Sequence, residues 1–576
     1  MPIADPLEPA NRIVWELNQG LLLGVLEPTG RVYRGVVPEP VRTSIRNFSR
    51  NLAYPGRVAN LALQNRWDEA GTESRRFLTN TSAGVGGLFD PASKWGMAPE
   101  DADFGQTFRK WGWKPEPFLM LPMFGPSDPP SALGMAADSA ADPKSYLPDP
   151  YWIASPISTY NRLAGTTATQ ARFVRSEPDP YAGIKLAWTY AAKDRDPDWT
   201  LRGAPDAATL ETLQVAMLRM ENQEFAGNAR TLHVRMPHTG EKLPVNLWLQ
   251  KGGAPLAYVV PGLGSHRLSM TPLAVAEFLY QKGYSVVTTS SLFHPEFMER
   301  ALSSELPGYA ANDRADLRSA LVAVDAELSR KFGSRLGRRA YIGLSMGGFM
   351  GMQLAATDGN PFFDRMIAVN PPINLRHGIA VIDSFNEAIN EWPDAERGER
   401  IENTAAKISA LQSGAAPPPG TLPFDSVETR YLIGYNFRLI LRDAVFNIES
   451  RNNHGILNTP LSKWNREPVY QEIMGLSYRD YLERFALPHY AAKGIGRDAF
   501  LGSASLKTLR GTLSRDQKLR VITNANDFLL APGDLAWLRS TFGTSRLTVL
   551  PSGGHLGTLQ SARFRDALLE ALDGMR

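Results

Sequence analysis

The octapeptide Tyr341-Ile342-Gly343-Leu344-Ser345-Met346-Gly347-Gly348 constrains this chain more than any other stretch. It reads as a short apolar strand, a sharp glycine turn and the start of a helix. Gly343 and Gly347 bracket Ser345 in the Gly-x-Ser-x-Gly pattern of a nucleophile elbow. Small residues there let the backbone turn tightly enough to lift the serine hydroxyl out of the fold. A working site of this kind also needs an oxyanion loop upstream, then an acid and a histidine downstream in that order.

The sequence around the octapeptide has the matching periodicity. Thr231–Met236 and Leu243–Leu249 alternate in polarity and read as strands. Ala257–Val260 is a continuous apolar run, hence a central strand, and it ends in Pro261-Gly262-Leu263-Gly264-Ser265-His266. Thr271-Pro272 opens a helix that stops at Gly283, and Tyr284–Thr288 is the next strand. Asn312 is expected to cap a long helix closed by Gly333. Further strands are expected at Ala340–Gly343, Met366–Val369, Leu519–Thr523 and Leu547–Leu550. Strands alternating with helices predict a mostly parallel sheet. This order of parts resembles the α/β-hydrolase fold.

Each part then has a chemical task. Ser345 attacks an acyl carbonyl, and backbone N–H groups hold the oxyanion that develops. The N–H of Met346, just after the nucleophile, is one donor; the resemblance implies the N–H of Leu263 as the second. Asp527 lies just past the Leu519–Thr523 strand, and His555 follows the last strand in Pro551-Ser552-Gly553-Gly554-His555. Both fall on loops at strand C-termini, so His555 reads as the base and Asp527 as the acid that orients it. Asp534 is a rival for the acid. His266, beside the oxyanion loop, and His294, after another strand, read either as substrate-contacting residues or as ordinary polar loop residues.

Composition narrows the remaining classes. The chain has 576 residues, enough for at least two domains. With no cysteine it has no disulfide, thiolate metal site or cysteine nucleophile. No His/Asp/Glu cluster has metal-ligand spacing, so neither a metal nor any other cofactor is expected. A net charge of +3, without a concentrated Lys/Arg run or an aromatic-basic pattern, argues against nucleic acid. The longest early apolar run, Leu21–Leu26, is far short of the roughly 20 residues a spanning helix needs.

The long span between Ser345 and Asp527 predicts an insertion at about 376–505. Its helical segments include Phe437–Ile448 and Tyr478–Phe485, and a Pro/Gly loop at 414–420 precedes both. An insertion at this point of the fold reads as a lid that excludes water and selects substrate. Trp392, Tyr431, Tyr435, Phe437 and Trp464 offer surface for an acyl chain or, alternatively, a core for the lid itself.

The first third has a different pattern. Residues 5–90 read as amphipathic helices: one from Asn11 to Leu26 stopped at Pro28 and Gly30, one from Pro40, and one over about 56–64. Gly84, Gly86 and Gly87 then form a flexible hinge with an apolar tip at Leu88-Phe89. Residues 95–124 are rich in Trp, Phe, Met, Pro and Gly, which suits either a headgroup-level belt or an irregular core.

Specific motifs run through this segment in order. They include Asp5-Pro6-Leu7-Glu8 with Asn11-Arg12, Tyr33-Arg34, Pro40-Val41-Arg42, and Asn47-Phe48 with Asn51-Leu52. Arg76-Phe77-Leu78-Thr79-Asn80-Thr81, Gly86-Gly87-Leu88-Phe89-Asp90, Asp103-Phe104-Gly105-Gln106-Thr107, Trp111-Gly112, and Leu121-Pro122 with Gly125-Pro126-Ser127 follow. Over roughly residues 5–195 the chain closely resembles the MlaA (VacJ) lipoprotein family. The resemblance implies a helical, ring-shaped domain in the inner leaflet of a Gram-negative outer membrane. It implies transport of glycerophospholipid through an amphipathic pore, with trimeric porins and a soluble periplasmic lipid carrier as partners. The family's anchor is a lipidated N-terminal cysteine after a signal peptide. Neither stands in this sequence, so a processed segment or a different anchor is expected.

The expected organisation is therefore multidomain: a lipid-transport domain at 1–198, a linker helix within 199–228 (Ala207–Gln223), and a hydrolase domain at 229–576. The expected function couples phospholipid handling to ester hydrolysis of the phospholipase or lysophospholipase type, on the periplasmic side of the outer membrane. Two other readings stand beside it: a transport component with a non-catalytic hydrolase-like scaffold, and a tethered esterase for a non-lipid substrate.

Overall fold

The computed structural model describes residues 4–146, 148, 153–191, 197–357, 362–413 and 422–575. The Pro/Gly loop at 414–420 lies outside these residues. The described residues form two compact units, one drawn from 1–175 and 179–196, the other from 176–178 and 197–576.

The first unit is built mainly from helices, among them Glu8–Leu21, Glu27–Val36, Glu39–Leu52, Tyr54–Leu63, Trp67–Ser82, Ala154–Ser176 and Pro180–Ala191. The all-α expectation needs one correction, a short antiparallel hairpin of β1 (Leu119–Leu121) and β2 (Gly125–Ser127). Asn11 on the first helix holds β1 as a neighbouring strand would. Its amide donates to Phe118 O at 3.0 Å, and its oxygen accepts from Met120 N–H at 2.9 Å. A second correction concerns Pro28 and Gly30, which do not end the first helical run. The chain passes through a π-helical turn, Leu22–Leu26, into the next helix. Pro28 falls just after that π turn, where the regular α-helical hydrogen-bond ladder is already interrupted.

The motif residues of this unit are its polar staples. Arg12 is clamped by Glu8 at 2.7 Å and by both oxygens of Asp179 at 3.0 and 2.9 Å, with its guanidinium over the Tyr181 ring. A buried arginine is tolerable only with such partners, and removing either acid would strand it. Tyr181 donates to Asp5 at 2.6 Å. Asp90 closes the glycine turn by accepting from Asn80, Arg76 and Ser93. Burial works against its ionisation, yet these hydrogen bonds bring the Asp90 carboxyl down to about 2. Asp103 and Gln106 form a reciprocal capping box at the start of the Phe104–Lys110 helix. A Cβ on Gly134 would lie 2.3 Å from Gly105 N, so glycine lets that helix and Pro129–Ala141 touch.

The apolar residues of 95–124 divide between the two environments. Phe118 and Met120 join Trp15, Val174 and Tyr181 in a buried cluster. Trp95, Trp111, Trp113, Met123 and Phe124 stay exposed. No described helix is long and apolar enough to cross a membrane.

The second unit is an α/β domain organised on an eight-stranded sheet. Its strands are β3 (Arg230–Arg235), β4 (Lys242–Trp248), β5 (Ala254–Val260), β6 (Ser285–Thr288), β7 (Leu336–Leu344), β8 (Arg365–Val369), β9 (Leu519–Asn524) and β10 (Leu547–Leu550). The spatial order is β10-β9-β8-β7-β5-β6-β4-β3. β4 pairs antiparallel with β3 and β6, and every other neighbouring pair is parallel. The central strands are buried on both faces, which explains their unbroken apolar runs. Val259, Ile342, Ile367 and Ile522 lie in one core cluster with Leu273 and Leu568 from flanking helices.

Two helix expectations need correcting. The long helix is Ala310–Phe332 with Tyr309 at its N-cap, so Asn312 lies inside it and caps nothing. The helix expected over Ala207–Gln223 is α-helical only at Ala207–Thr212, followed by a 3-10 turn at Leu213–Met217. Beyond it the backbone finds other partners: the Glu277 carboxylate accepts from Glu221 N–H at 2.9 Å and Asn222 N–H at 2.7 Å.

Between β8 and β9 the chain makes a helical excursion that includes Leu375–Glu387, Asp394–Ser413, Ser426–Asn452, Glu467–Met474 and Arg497–Ser503. Asp425 and Glu428 form a capping box on the longest helix, and Glu428 also takes the buried Lys407 ammonium at 2.8 Å.

Candidate active site

The turn after β7 carries Ser345 at φ +51, a left-handed backbone that a side chain seldom adopts. Two glycines make it possible. A Cβ on Gly343 would lie 2.2 Å from Gly347 O, and one on Gly347 would lie 2.3 Å from Val260 O. The Ser345 N–H donates to Val369 O at 2.8 Å, which ties the turn to β8.

Ser345, His555 and Asp527 form one hydrogen-bonded chain. Ser345 Oγ is 2.8 Å from His555 Nε2, and His555 Nδ1 is 2.9 Å from Asp527 Oδ2 and 3.1 Å from Oδ1. With the carboxylate on Nδ1, that nitrogen carries the proton and Nε2 is left to accept from the serine. All three residues are buried. Asp527 is itself held by Asn370 Nδ2 at 2.8 Å and Leu529 N–H at 2.9 Å. Asp534 stands elsewhere: it accepts from Ala531 N–H and pairs with Lys507.

Leu263 and Met346 border the same pocket as Ser345. Met346 opens the Met346–Thr357 helix, so its N–H is one of the first-turn donors with no intrahelical acceptor. Gly262 lies close beneath, where a Cβ would be 3.1 Å from Ser345 Cβ. The pocket encloses about 910 Å³ including its mouth, and its lining is overwhelmingly apolar. Much of its wall comes from the helical excursion, for example Ile379, Ile382, Phe437, Tyr478 and Tyr481. Of the five aromatic residues that read as either acyl-chain surface or lid core, Phe437 is the one on this wall. Trp392 is buried in the excursion against Tyr431, which in turn packs on Tyr435, while Trp464 lies under the Lys463 ammonium.

His266 and His294 do not line this pocket. They belong to a buried cluster beside the oxyanion loop. His266 accepts from Leu268 N–H through Nδ1, so its Nε2 proton points to Glu296 at 3.3 Å. His294 accepts from Glu296 N–H and thereby caps the Pro295–Ala301 helix. Arg267 and Ser290 complete the set on the Glu296 carboxylate. Burial and the neighbouring His266 hold His294 down at about 3. Burial opposes ionisation of Glu296, but His266, Arg267 and Ser290 hold it well below the usual carboxylate range.

The sequence reading missed the residues that hold the histidine loop. Glu211 Oε2 accepts from Gly553 N–H and from Asn526 Nδ2, each at 2.7 Å. Thr212 Oγ1 accepts from His555 N–H at 2.8 Å. A Cβ on Gly554 would lie 2.0 Å from Ala208 O, so the segment expected as a linker packs directly on the loop that carries His555. These contacts join residues more than 300 positions apart, and no local pattern announces them. Asn370, the partner of Asp527, was missed for the same reason. Also outside the sequence reading are Glu305, His454 and His489, which offer potential ligand atoms within 4.8 Å of one another.

Comparison with known proteins adds the following. The MlaA lipoprotein family profile matches residues 3–195. An uncharacterized protein of Rickettsia felis is 35% identical over 125 residues, 22% of this chain and 50% of that protein. The chain thus spans about half the length of that relative. The intermembrane phospholipid transport system lipoprotein MlaA of Escherichia coli is 30% identical over 198 residues, 32% of this chain and 75% of that protein. Among solved structures, an esterase of Pyrococcus furiosus is 11% identical, covering 62% of this chain and 96% of its own, with a TM-score of 0.33.

Proposed function

Since the chain belongs to the MlaA lipoprotein family through its N-terminal third, we propose that it is a lipid-handling serine hydrolase in which an MlaA-like unit and an ester-cleaving unit serve one phospholipid substrate class. Ser345 is the nucleophile, His555 the general base and Asp527 the acid that orients it. The observation that carries this reading is the unbroken chain Ser345–His555–Asp527, with 2.8 Å between the serine oxygen and the imidazole, beside an apolar pocket. A structural serine has no need of a base at that distance.

The chemistry follows from the geometry. An ester enters with its acyl chain along the wall formed by Ile379, Ile382 and Phe437. Ser345 Oγ adds to the carbonyl carbon while its proton passes to His555 Nε2. The carboxylate of Asp527 stabilises the imidazolium that results. The N–H groups of Met346 and Leu263 hold the carbonyl oxygen as it becomes an oxyanion; one such donor is worth roughly 10²–10³ in rate. His555 then returns the proton to the departing alcohol or glycerol oxygen. Water, activated by the same imidazole, hydrolyses the acyl-enzyme. The helical excursion acts as the lid that keeps the site dry.

The substrate class rests on two supports. One is the similarity to the Escherichia coli relative, a phospholipid transport system lipoprotein. The other is the set of exposed rings at Trp95, Trp111, Trp113 and Phe124, which suits the level of lipid headgroups. The setting proposed is the periplasmic side of the outer membrane, with the first unit in the inner leaflet as a ring around a lipid path. A trimeric porin and a periplasmic lipid carrier are the partners that membership of the family suggests.

Fatty-acid release from phospholipid vesicles tests the proposal, with wild type and Ser345→Ala side by side. Release by the wild type alone supports it, and equal, negligible release from both refutes it. A fluorophosphonate probe separates the scaffold reading, because an activated Ser345 is labelled and a non-catalytic one is not. Short-chain soluble esters outperforming phospholipids by a wide margin would move the substrate away from lipid.

A further inference from the structure

Glu305, His454 and His489 come from three separate segments of the hydrolase unit. Glu305 lies between the Pro295–Ala301 and Ala310–Phe332 helices, His454 follows the Ser426–Asn452 helix, and His489 is in the Leu487–Ala492 helix. Each offers one nitrogen or carboxylate oxygen within 4.8 Å of the others. His489 Nδ1 is 3.4 Å from Glu305 Oε2, and the two imidazole rings are 5.8 Å apart and nearly perpendicular. Two facing imidazoles do nothing for hydrophobic packing that a leucine would not do better.

A second observation points to a ligand. The Nε2 atoms of both His454 and His489 are buried without a hydrogen-bond partner among the described residues. The His489 side chain is 92% buried by its 8% exposure. An imidazole nitrogen removed from water normally finds a donor or acceptor, and each of these two rings has one nitrogen that does not.

The backbones behind these side chains are fixed independently. Tyr490 donates to Leu306 O at 2.9 Å and bonds Ser304 Oγ at 3.1 Å, which holds the His489 helix against the Glu305 segment. Asn452 Nδ2 donates to Glu305 O at 3.2 Å, which brings the end of the long helix to the same place.

We propose that Glu305, His454 and His489 form a binding site for one divalent transition cation of the zinc class. Two imidazoles and a carboxylate are a three-ligand set that suits zinc, with water as the fourth ligand. Calcium and magnesium prefer oxygen ligands in greater number. The site is separate from Ser345, and its role is that of a clasp. Gly308 and Ala486, each three residues from a ligand, belong to the wall of the Ser345 pocket. A bound cation therefore holds two pieces of that wall together across the excursion.

The test uses the full chain freed of any histidine tag, stripped with EDTA and dialysed against zinc chloride. Mass spectrometry of metal content is expected to find about one zinc per wild-type chain, and a thermal melt is expected to rise with zinc. Glu305→Gln and His454→Ala alter side chains that are exposed or partly exposed, so their folds should survive; circular dichroism in EDTA checks this. Each is expected to weaken zinc binding at least ~10-fold and to abolish the zinc-dependent rise in melting temperature. His489→Ala should do the same. Magnesium in place of zinc should raise the melting temperature of none of them. Failure of the wild type to retain zinc, or retention by both folded variants equal to the wild type, overturns the site.

Discussion

Glu211→Gln is the sharpest perturbation of the proposed site, because Glu211 lies outside both the triad and the pocket. One carboxylate oxygen accepts from Gly553 N–H and Asn526 Nδ2, each at 2.7 Å, and His555 is two residues from Gly553. A glutamine can still accept both bonds through its amide oxygen, but it removes the charge that strengthens them. Hydrogen bonds to a charged group contribute about 1.5–3 kcal/mol net. If that stabilisation is spent on placing the histidine loop, its loss lowers the chemical step by roughly 10- to 150-fold at about 1.36 kcal/mol per decade. Displacing an imidazole by about 1 Å has a cost of the same order. The assay is the second-order rate of Ser345 labelling by a fluorophosphonate, alongside kcat and KM for an ester. Labelling and kcat should fall together while KM holds, since Glu211 touches no part of the pocket wall. An unchanged labelling rate in a variant that melts below the wild type would show that Glu211 acts on stability alone. A change confined to KM would refute the positioning argument outright.

Other expectations concern the rest of the chain. Asp527→Asn should leave the fold intact and reduce kcat by roughly 10³–10⁴, because the amide no longer selects the Nδ1–H tautomer; kinetics near neutral pH check this. Ile379→Trp, on the pocket wall, should fill the acyl path, so long-chain esters lose activity while short-chain esters keep it; a chain-length series is the measurement. Asp90 has a folded value of about 2, below its ordinary 3.8, so the stability it contributes is present above about pH 4 and is lost as pH falls toward 2. Asp90→Asn should lower the melting temperature at pH 7 and flatten the decline between pH 4 and 2 that the wild type shows, as followed by thermal unfolding at several pH values.

Much of the second unit was legible because its signals are local. The glycines around Ser345 are demanded by backbone contacts of 2.2 and 2.3 Å, so that turn can be written in few ways. The central strands are buried on both faces, so their apolar runs are unbroken. The misread boundaries have equally physical causes. Pro28 passes because a π turn precedes it, and the segment after Met217 leaves helix because Glu277 takes its N–H groups. In the first unit, Arg12, Asn11, Asp90 and Asp103 are motif residues. The structure supplies the reason for their types: a clamp, a strand substitute, a turn closure and a cap.

What the sequence determined by itself was the periodicity and the order of parts: helices, then an alternating sheet, with serine, acid and histidine following in turn. These follow from backbone sterics and from the burial period of each element, which neighbouring residues encode. Tertiary structure decided the partners. Which acid faces His555, what holds its loop, why His266 serves Glu296 rather than the pocket, and how Glu305, His454 and His489 meet are all settled by contacts between distant segments. Hydrogen bonds and charges act over a few ångströms in space, and distance along the chain carries no record of that separation.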